Sequence, residues 1–256
     1  MLEELSTLLH PFKYLNLLIL LFLYLLRWYV SGHFPLSNGF ETMLFVALVM
    51  QALGIFLARR QPLLHPFVFL LPGFVLLVAH LGFMNPQITT LMPVLNSPWL
   101  SSHVSCIMIS YALLTFTFIL ALLHFATPDS QLSALNSQPS TLDFSRPYGE
   151  SRRGASSLTL LSRLLLHPAV LLLGIGIFLG AVWANVSWGT YWSWDPKEVW
   201  ALITFIIYAL PLHPRSLTLF QRPRIYHIYI IFAFFTVIMT YFGVNFLLGG
   251  MHSYAN

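Results

Sequence analysis

Between Trp183 and Trp200 the chain reads WANVSWGTYWSWDPKEVW, which sets five tryptophans and a tyrosine beside an aspartate, a lysine and a glutamate. Indole is apolar with one N–H donor, so a tryptophan at a membrane edge ordinarily serves as an interfacial anchor. Trp188, Trp192, Trp194 and Trp200, with Trp183 before them, exceed what one interfacial turn requires. The surplus can wall a flat, apolar, aromatic ligand. Part of the charge has a purely structural account. Asp195, Pro196 and Glu198 have the types and spacing of N-cap, N1 and N3 of a helix, where aspartate accepts backbone N–H groups and glutamate answers as in a capping box.

Histidine supplies what such a ligand could need. Of ten histidines, His10, His65 and His167 each precede a proline, and His33, His80, His124 and His227 sit near the ends of apolar runs. These read as polar groups at a membrane boundary. His103 opens one apolar run and His252 follows the last, and both can reach the level of the tryptophan stretch. Two imidazoles across an aromatic platform suit axial ligation of haem iron. Cys106 stands alone, and no Cys-x-x-Cys-His occurs, so there is no disulfide framework and no site for covalent attachment of haem to this chain.

The elements that position these groups are membrane helices. Hydrophobic residues make up 57% of the chain and charged residues 8%, against roughly 25% charged in soluble domains. Apolar runs extend over 15–29, 40–57, 66–80, 103–125, 168–186, 196–212 and 226–247. The expectation is an all-α polytopic integral membrane protein of about seven transmembrane helices. Glu3 and Glu4 occupy the place of a basic n-region, so the first span is expected to insert and stay. Lys13, Arg59, Arg60, Arg146, Arg152, Arg153, Arg163, Arg215, Arg222 and Arg224 all fall on one face. The positive-inside rule then puts the N-terminus inside, and the C-terminus and the tryptophan loop outside. The basic balance is thereby explained by topology, and no nucleic-acid partner is invoked. We expect one membrane domain over 1–256, with the tryptophan segment at 183–200 and a polar inside loop at 127–163. Glu41, just inside the second span, would orient a ligand or contact Arg27. Gly176, Gly180 and Ala184 form a small-xxx-small ridge for close helix packing.

The stretch WGTYWSWDPKEVWALITFIIYAL resembles the tryptophan-rich "WWD" signature of the haem-handling membrane proteins of cytochrome c maturation. SNGFETMLF, PWLSSHVSCIMISYALL, LGAVWANVSWG and YFGVNFLLGGMHSYA, in that order, are similar to segments of its CcsA (ResC) branch, system II. The resemblance implies that His103 and His252 ligate haem beside the tryptophan loop. It implies that His213 belongs to a second haem site within the membrane, shared with a CcsB-type (ResB) partner. Family members commonly read YLH there, whereas this chain reads PLHPR. The implied cofactor is haem b, held non-covalently by these histidines with Trp188, Trp192, Trp194 and Asp195, and it is substrate as well as ligand. The implied partners are the CcsB-type protein, apocytochromes c with Cys-x-x-Cys-His, and thiol-reducing proteins. The implied role is that of a subunit of a cytochrome c haem lyase in a thylakoid or bacterial cytoplasmic membrane, with no catalytic side chain of its own. Two alternatives stay open: CcmC-like delivery of haem to a chaperone, and a b-haem electron-transfer subunit.

Overall fold

The computed structural model describes residues 2–82, 84–88, 95–127 and 157–248, the side chains of 2–10 and 245–247 excepted. Among these residues every regular element is helical: α1 (Leu2–Ser31), α2 (Gly39–Ala58), α3 (Phe67–Leu81), α4 (Pro98–Ala126), α5 (Ser157–Trp188), α6 (Pro196–Ala209) and α7 (Pro223–Ile238). A π-helical segment, Met239–Leu248, continues α7. Short 3-10 turns occupy Pro62–Leu64, Leu210–Leu212 and Thr218–Gln221.

The helix starts follow from local chemistry. Asn38 caps α2 by accepting the Glu41 N–H at 2.9 Å. Pro98, Pro196 and Pro223 stand in the first turn of α4, α6 and α7, where a missing N–H costs nothing and the fixed φ is already helical. Proline also ends α6. Pro211 has no N–H to return to the Ile207 carbonyl, so the helix tightens into a 3-10 turn. The hydroxyl of Tyr229 donates to that carbonyl at 2.9 Å from α7 and restores its hydrogen bond.

Among the described residues, six segments are long and apolar enough to cross a bilayer: Pro11–Ser31, Gly39–Ala58, Pro62–Leu81, Pro98–Ala126, Ser157–Trp188 and Pro223–Val244. The remaining expected span, 196–212, forms α6 and its terminal turn. The 14 residues of α6 rise about 21 Å, short of the ~30 Å hydrocarbon core by themselves. At its other boundary the polar loop is also shorter than expected. Residues 157–163 form the first turns of α5, because Leu158, Thr159, Leu161 and Ser162 share one buried face. Residues 128–156 of that loop lie outside the described residues.

The centre is a close pairing of α4 with α5. Leu114, Phe116 and Leu120 of α4, Leu158, Leu166 and Leu173 of α5, and Tyr226 and Ile230 of α7 are fully enclosed. Small residues bring the two backbones together, and Ser110 Oγ reaches across to donate to the Ala169 carbonyl at 2.7 Å. By contrast α1 is peripheral. Leu20 and Tyr24 pack against Leu44 of α2, while Leu18, Phe22 and Tyr29 are exposed, as befits a lipid-facing side.

The helices give the bundle two chemically distinct ends. The tryptophan end gathers the starts of α2, α4 and α6, the finish of α5 and the π segment around one cavity. The arginine end holds Arg59, whose guanidinium donates to the Tyr14 hydroxyl at 2.8 Å. It also holds Arg163, which donates to the Phe220 carbonyl and lies over the Tyr226 ring.

Candidate functional site

A cavity of about 250 Å³ opens among α2, α4, α5, α6 and the π segment, and His103 is part of its wall. His103 lies in the second turn of α4 and crosses to α5, its Nδ1 standing 2.6 Å from the Gly176 carbonyl oxygen. A carbonyl can only accept, so Nδ1 carries a proton, and in the neutral ring the lone pair is then on Nε2. The ring rests on Gly180. A Cβ there would lie 2.7 Å from both Nδ1 and Cε1 of the imidazole. One turn on, a Cβ at Gly176 would lie 2.6 Å from Ile107 Cδ1. The small-residue ridge therefore does serve close packing, and one of the groups it admits is the candidate ligand.

The aromatic residues divide. Trp192 lines the cavity together with Tyr191 and Trp183. Trp188 stands behind, edge-on to Trp183 at 4.7 Å between ring centres. Trp194 is 72% exposed and meets Trp192 edge-on at 6.0 Å. Its φ of 61° puts it in the left-handed region, which a bulky residue rarely adopts. The stretch leaves α5 at Gly189, whose φ of 77° is natural for glycine.

Asp195 takes the structural place its neighbours imply. Its side chain accepts the Lys197 N–H at 3.0 Å, and Glu198 Oε2 accepts the Asp195 N–H at 3.2 Å, completing a capping box. Glu198 Oε2 also accepts the Ser193 N–H at 2.8 Å, so the box fixes the approach of the tryptophan loop to α6. Asp195 is 6% exposed and stands off the cavity wall, whereas Lys197 and Glu198 form part of it.

Glu41 is resolved in favour of Arg27. The Arg27 Nε donates to Glu41 Oε1 at 2.8 Å, and Glu41 Oε2 accepts from the Ser37 N–H at 2.8 Å and the Ser37 hydroxyl at 2.6 Å. Arg27 also donates to the Pro86 carbonyl at 2.7 Å. This clamp joins α1, α2 and the segment after α3, and orders the Ser37–Gly39 rim of the cavity.

His252 lies outside the described residues. His213 is exposed, just after the 3-10 turn at the arginine end. His65 and His167 each meet a backbone carbonyl at 2.8 Å, that of Pro62 and that of Arg163. A second histidine group lies at the arginine end. His124 of α4 stacks on His227 of α7 with ring centres 4.3 Å apart, and His227 Nε2 is 2.9 Å from Thr159 Oγ1. Sequence reading placed both near span ends but had no signal for their meeting, 103 positions apart. Tyr191 and Lys197 also line the cavity, and their only signal in the sequence is their place inside the aromatic stretch.

The donor set suits an iron-centred aromatic ligand on three counts. An imidazole of fixed tautomer is held in a cradle that a Cβ would fill, flat indole and phenol rings flank it, and an ammonium-bearing side chain shares the cavity.

A family profile described as Cytochrome C assembly protein matches residues 36–252. Protein NrfI of Wolinella succinogenes is 38% identical over 234 residues, an alignment covering 90% of this chain and 24% of that protein. Cytochrome c biogenesis protein CcsA of Prochlorococcus marinus (strain NATL2A) is 37% identical over 254 residues, covering 90% of this chain and 79% of the relative. CcsA of Guillardia theta is 36% identical over 238 residues, covering 89% and 79%. The chain thus spans 24% of the length of NrfI and 79% of these two CcsA proteins. With a match that runs from the rim of the cavity through the last helix, the chain belongs to the cytochrome c assembly protein family, as a multi-pass membrane protein of cytochrome c biogenesis.

Proposed function

We propose that this chain holds haem at the tryptophan end and presents it, on the outer face of the membrane, for attachment to apocytochromes c. The observation that carries this reading is the bond from His103 Nδ1 to the Gly176 carbonyl. A metal-ligating histidine characteristically donates its other ring nitrogen to such an acceptor, which fixes the ring and strengthens the donor. His252 would supply a second nitrogen to the iron. Trp192 and Tyr191 would flank the porphyrin, and Lys197 would offer a cation to its carboxylates. Trp188 and Asp195 act behind them, one bracing Trp183 and the other holding the start of α6, while Trp194 remains at the outer surface.

The reaction served is thioether formation between the vinyl groups of haem and the thiols of a Cys-x-x-Cys-His segment. The reactive carbons and sulfurs belong to haem and apocytochrome, so this chain contributes position and control of the iron and no acid or base. A CcsB-type membrane protein is the partner, and thiol-reducing proteins keep the incoming cysteines reduced. His213, exposed at the arginine end, takes part in a second haem site only when the partner supplies the opposite ligand. The clustering of basic residues at the arginine end supports placing that end inside.

The test replaces His103 and His252 singly with glycine in the full chain co-expressed with its partner, and measures haem per protein and cytochrome c assembly with and without added imidazole. Each variant is expected to lose haem and to regain it with imidazole. Wild-type spectra and assembly in both variants would refute the assignment.

A further inference from the structure

We propose that Gly180 is a positioning residue for His103, and that the Gly176 carbonyl sets which imidazole nitrogen faces the ligand. The proposal rests on the haem reading above and assigns to α5 a task beyond helix packing. Three observations carry it. His103 Nδ1 approaches the Gly176 oxygen to 2.6 Å, a distance at which the ring nitrogen must be the donor. Gly180 lies beneath the same ring, and any Cβ at that position would stand 2.7 Å from Nδ1 and Cε1. Both glycines lie one helical turn apart, with His103 over one and Ile107, four residues along α4, over the other. The imidazole is thus seated on bare backbone.

The seat fixes two things together. It gives the ring one orientation, because swinging away from Gly180 surrenders the bond to Gly176. It also gives the ring one tautomer, with the lone pair on Nε2. A side chain at position 180 would push the ring off the carbonyl, after which either nitrogen could carry the proton. Removing such an outer partner of a metal ligand typically lowers affinity on the order of 10–100-fold.

The experiment compares Gly180→Ala with Gly73→Ala. Gly73 lies in α3 with nothing within 4 Å of its prospective Cβ, so it reports the effect of alanine in an apolar helix without a clash. Alanine favours the helix over glycine at both positions, so a defect confined to position 180 is not a loss of helix. Haem retention of the purified full chain with its partner is measured by titration. Nitrogen-15 shifts of His103 are measured in the haem-free protein labelled at histidine and assigned by their absence in His103→Gln. Wild type and Gly73→Ala are expected to carry the proton on Nδ1. Gly180→Ala is expected to lose that single tautomer and to retain haem 10–100-fold less well. A wild-type proton on Nε2, or haem retention in Gly180→Ala equal to that in Gly73→Ala, overturns the proposal. If His103→Gln keeps the wild-type haem content, it is the ligand reading that fails, and the tautomer measurement still decides the seat on its own.

Discussion

The two ends of the bundle use histidine in opposite ways. At the tryptophan end His103 faces a backbone carbonyl across a glycine and borders a cavity. At the arginine end His124 and His227 face each other, with His227 fully enclosed (0% exposed) and tied to Thr159. Residue type does not separate these cases, and neither does distance from a helix end. The opposing surface does: glycine seats the His103 ring against backbone at the edge of a cavity, whereas at the other end a second ring covers the first. On the proposed reading, histidine at the first end binds a ligand, whereas at the second it packs.

That contrast is open to attack from the arginine end first, where the effect is largest. His227→Ala empties an enclosed site and removes the stacking partner of His124, and should destabilise the protein on the order of 2–4 kcal/mol. Thermal unfolding in detergent measures this. Haem per folded molecule should stay at the wild-type level, and a selective loss of haem would erase the distinction between the ends. A smaller effect sharpens the comparison within the tryptophan end. Trp192→Leu should weaken haem retention by about 1 kcal/mol, roughly fivefold, through loss of a broad aromatic face. Trp194→Leu, exposed and off the cavity wall, should leave retention unchanged. Equal losses in the two would mean that the loop binds as a mobile unit rather than by the observed wall. The smallest effect is expected of Asp195→Asn, since asparagine caps as well as aspartate. Unfolding should shift by a few tenths of a kcal/mol at most, with haem content intact, and a strong assembly defect would reveal a role for the charge itself.

How much of this was legible beforehand depends on the range of the signal. The helices, the capping box at Asp195 and the place of His103 near the start of an apolar run are local or periodic, and the sequence carries them. The choice among tryptophans is not local. It shows only in three dimensions, where Trp194 has a left-handed backbone and is exposed while Trp192 lines the cavity. The stack of His124 on His227 depends on how α4 meets α7, and no spacing in the chain encodes it. The ridge of Gly176 and Gly180 shows a partial reading: the residues announce a close approach, and only the three-dimensional pairing says that an imidazole is what approaches. The short α6 followed from Pro211, visible in the sequence, but the rescue of the Ile207 carbonyl by Tyr229 was not.

The Arg27–Glu41 clamp has a consequence for biosynthesis. Glu41 is 1% exposed, and an unpaired carboxylate in an apolar setting would resist insertion. Its cation lies only fourteen residues upstream, on the neighbouring helix of a hairpin joined by residues 32–38. The hydrogen bonds from Ser37 come from that same connection. Among the described residues, the ion-pair and hydrogen-bond partners of Glu41 all lie within the first two helices and their connection, so none depends on α4 or α5. The carbonyls at Pro86 and Gln87 also accept from the guanidinium, so the clamp at the rim of the cavity needs only the first three helices and the segment that follows them.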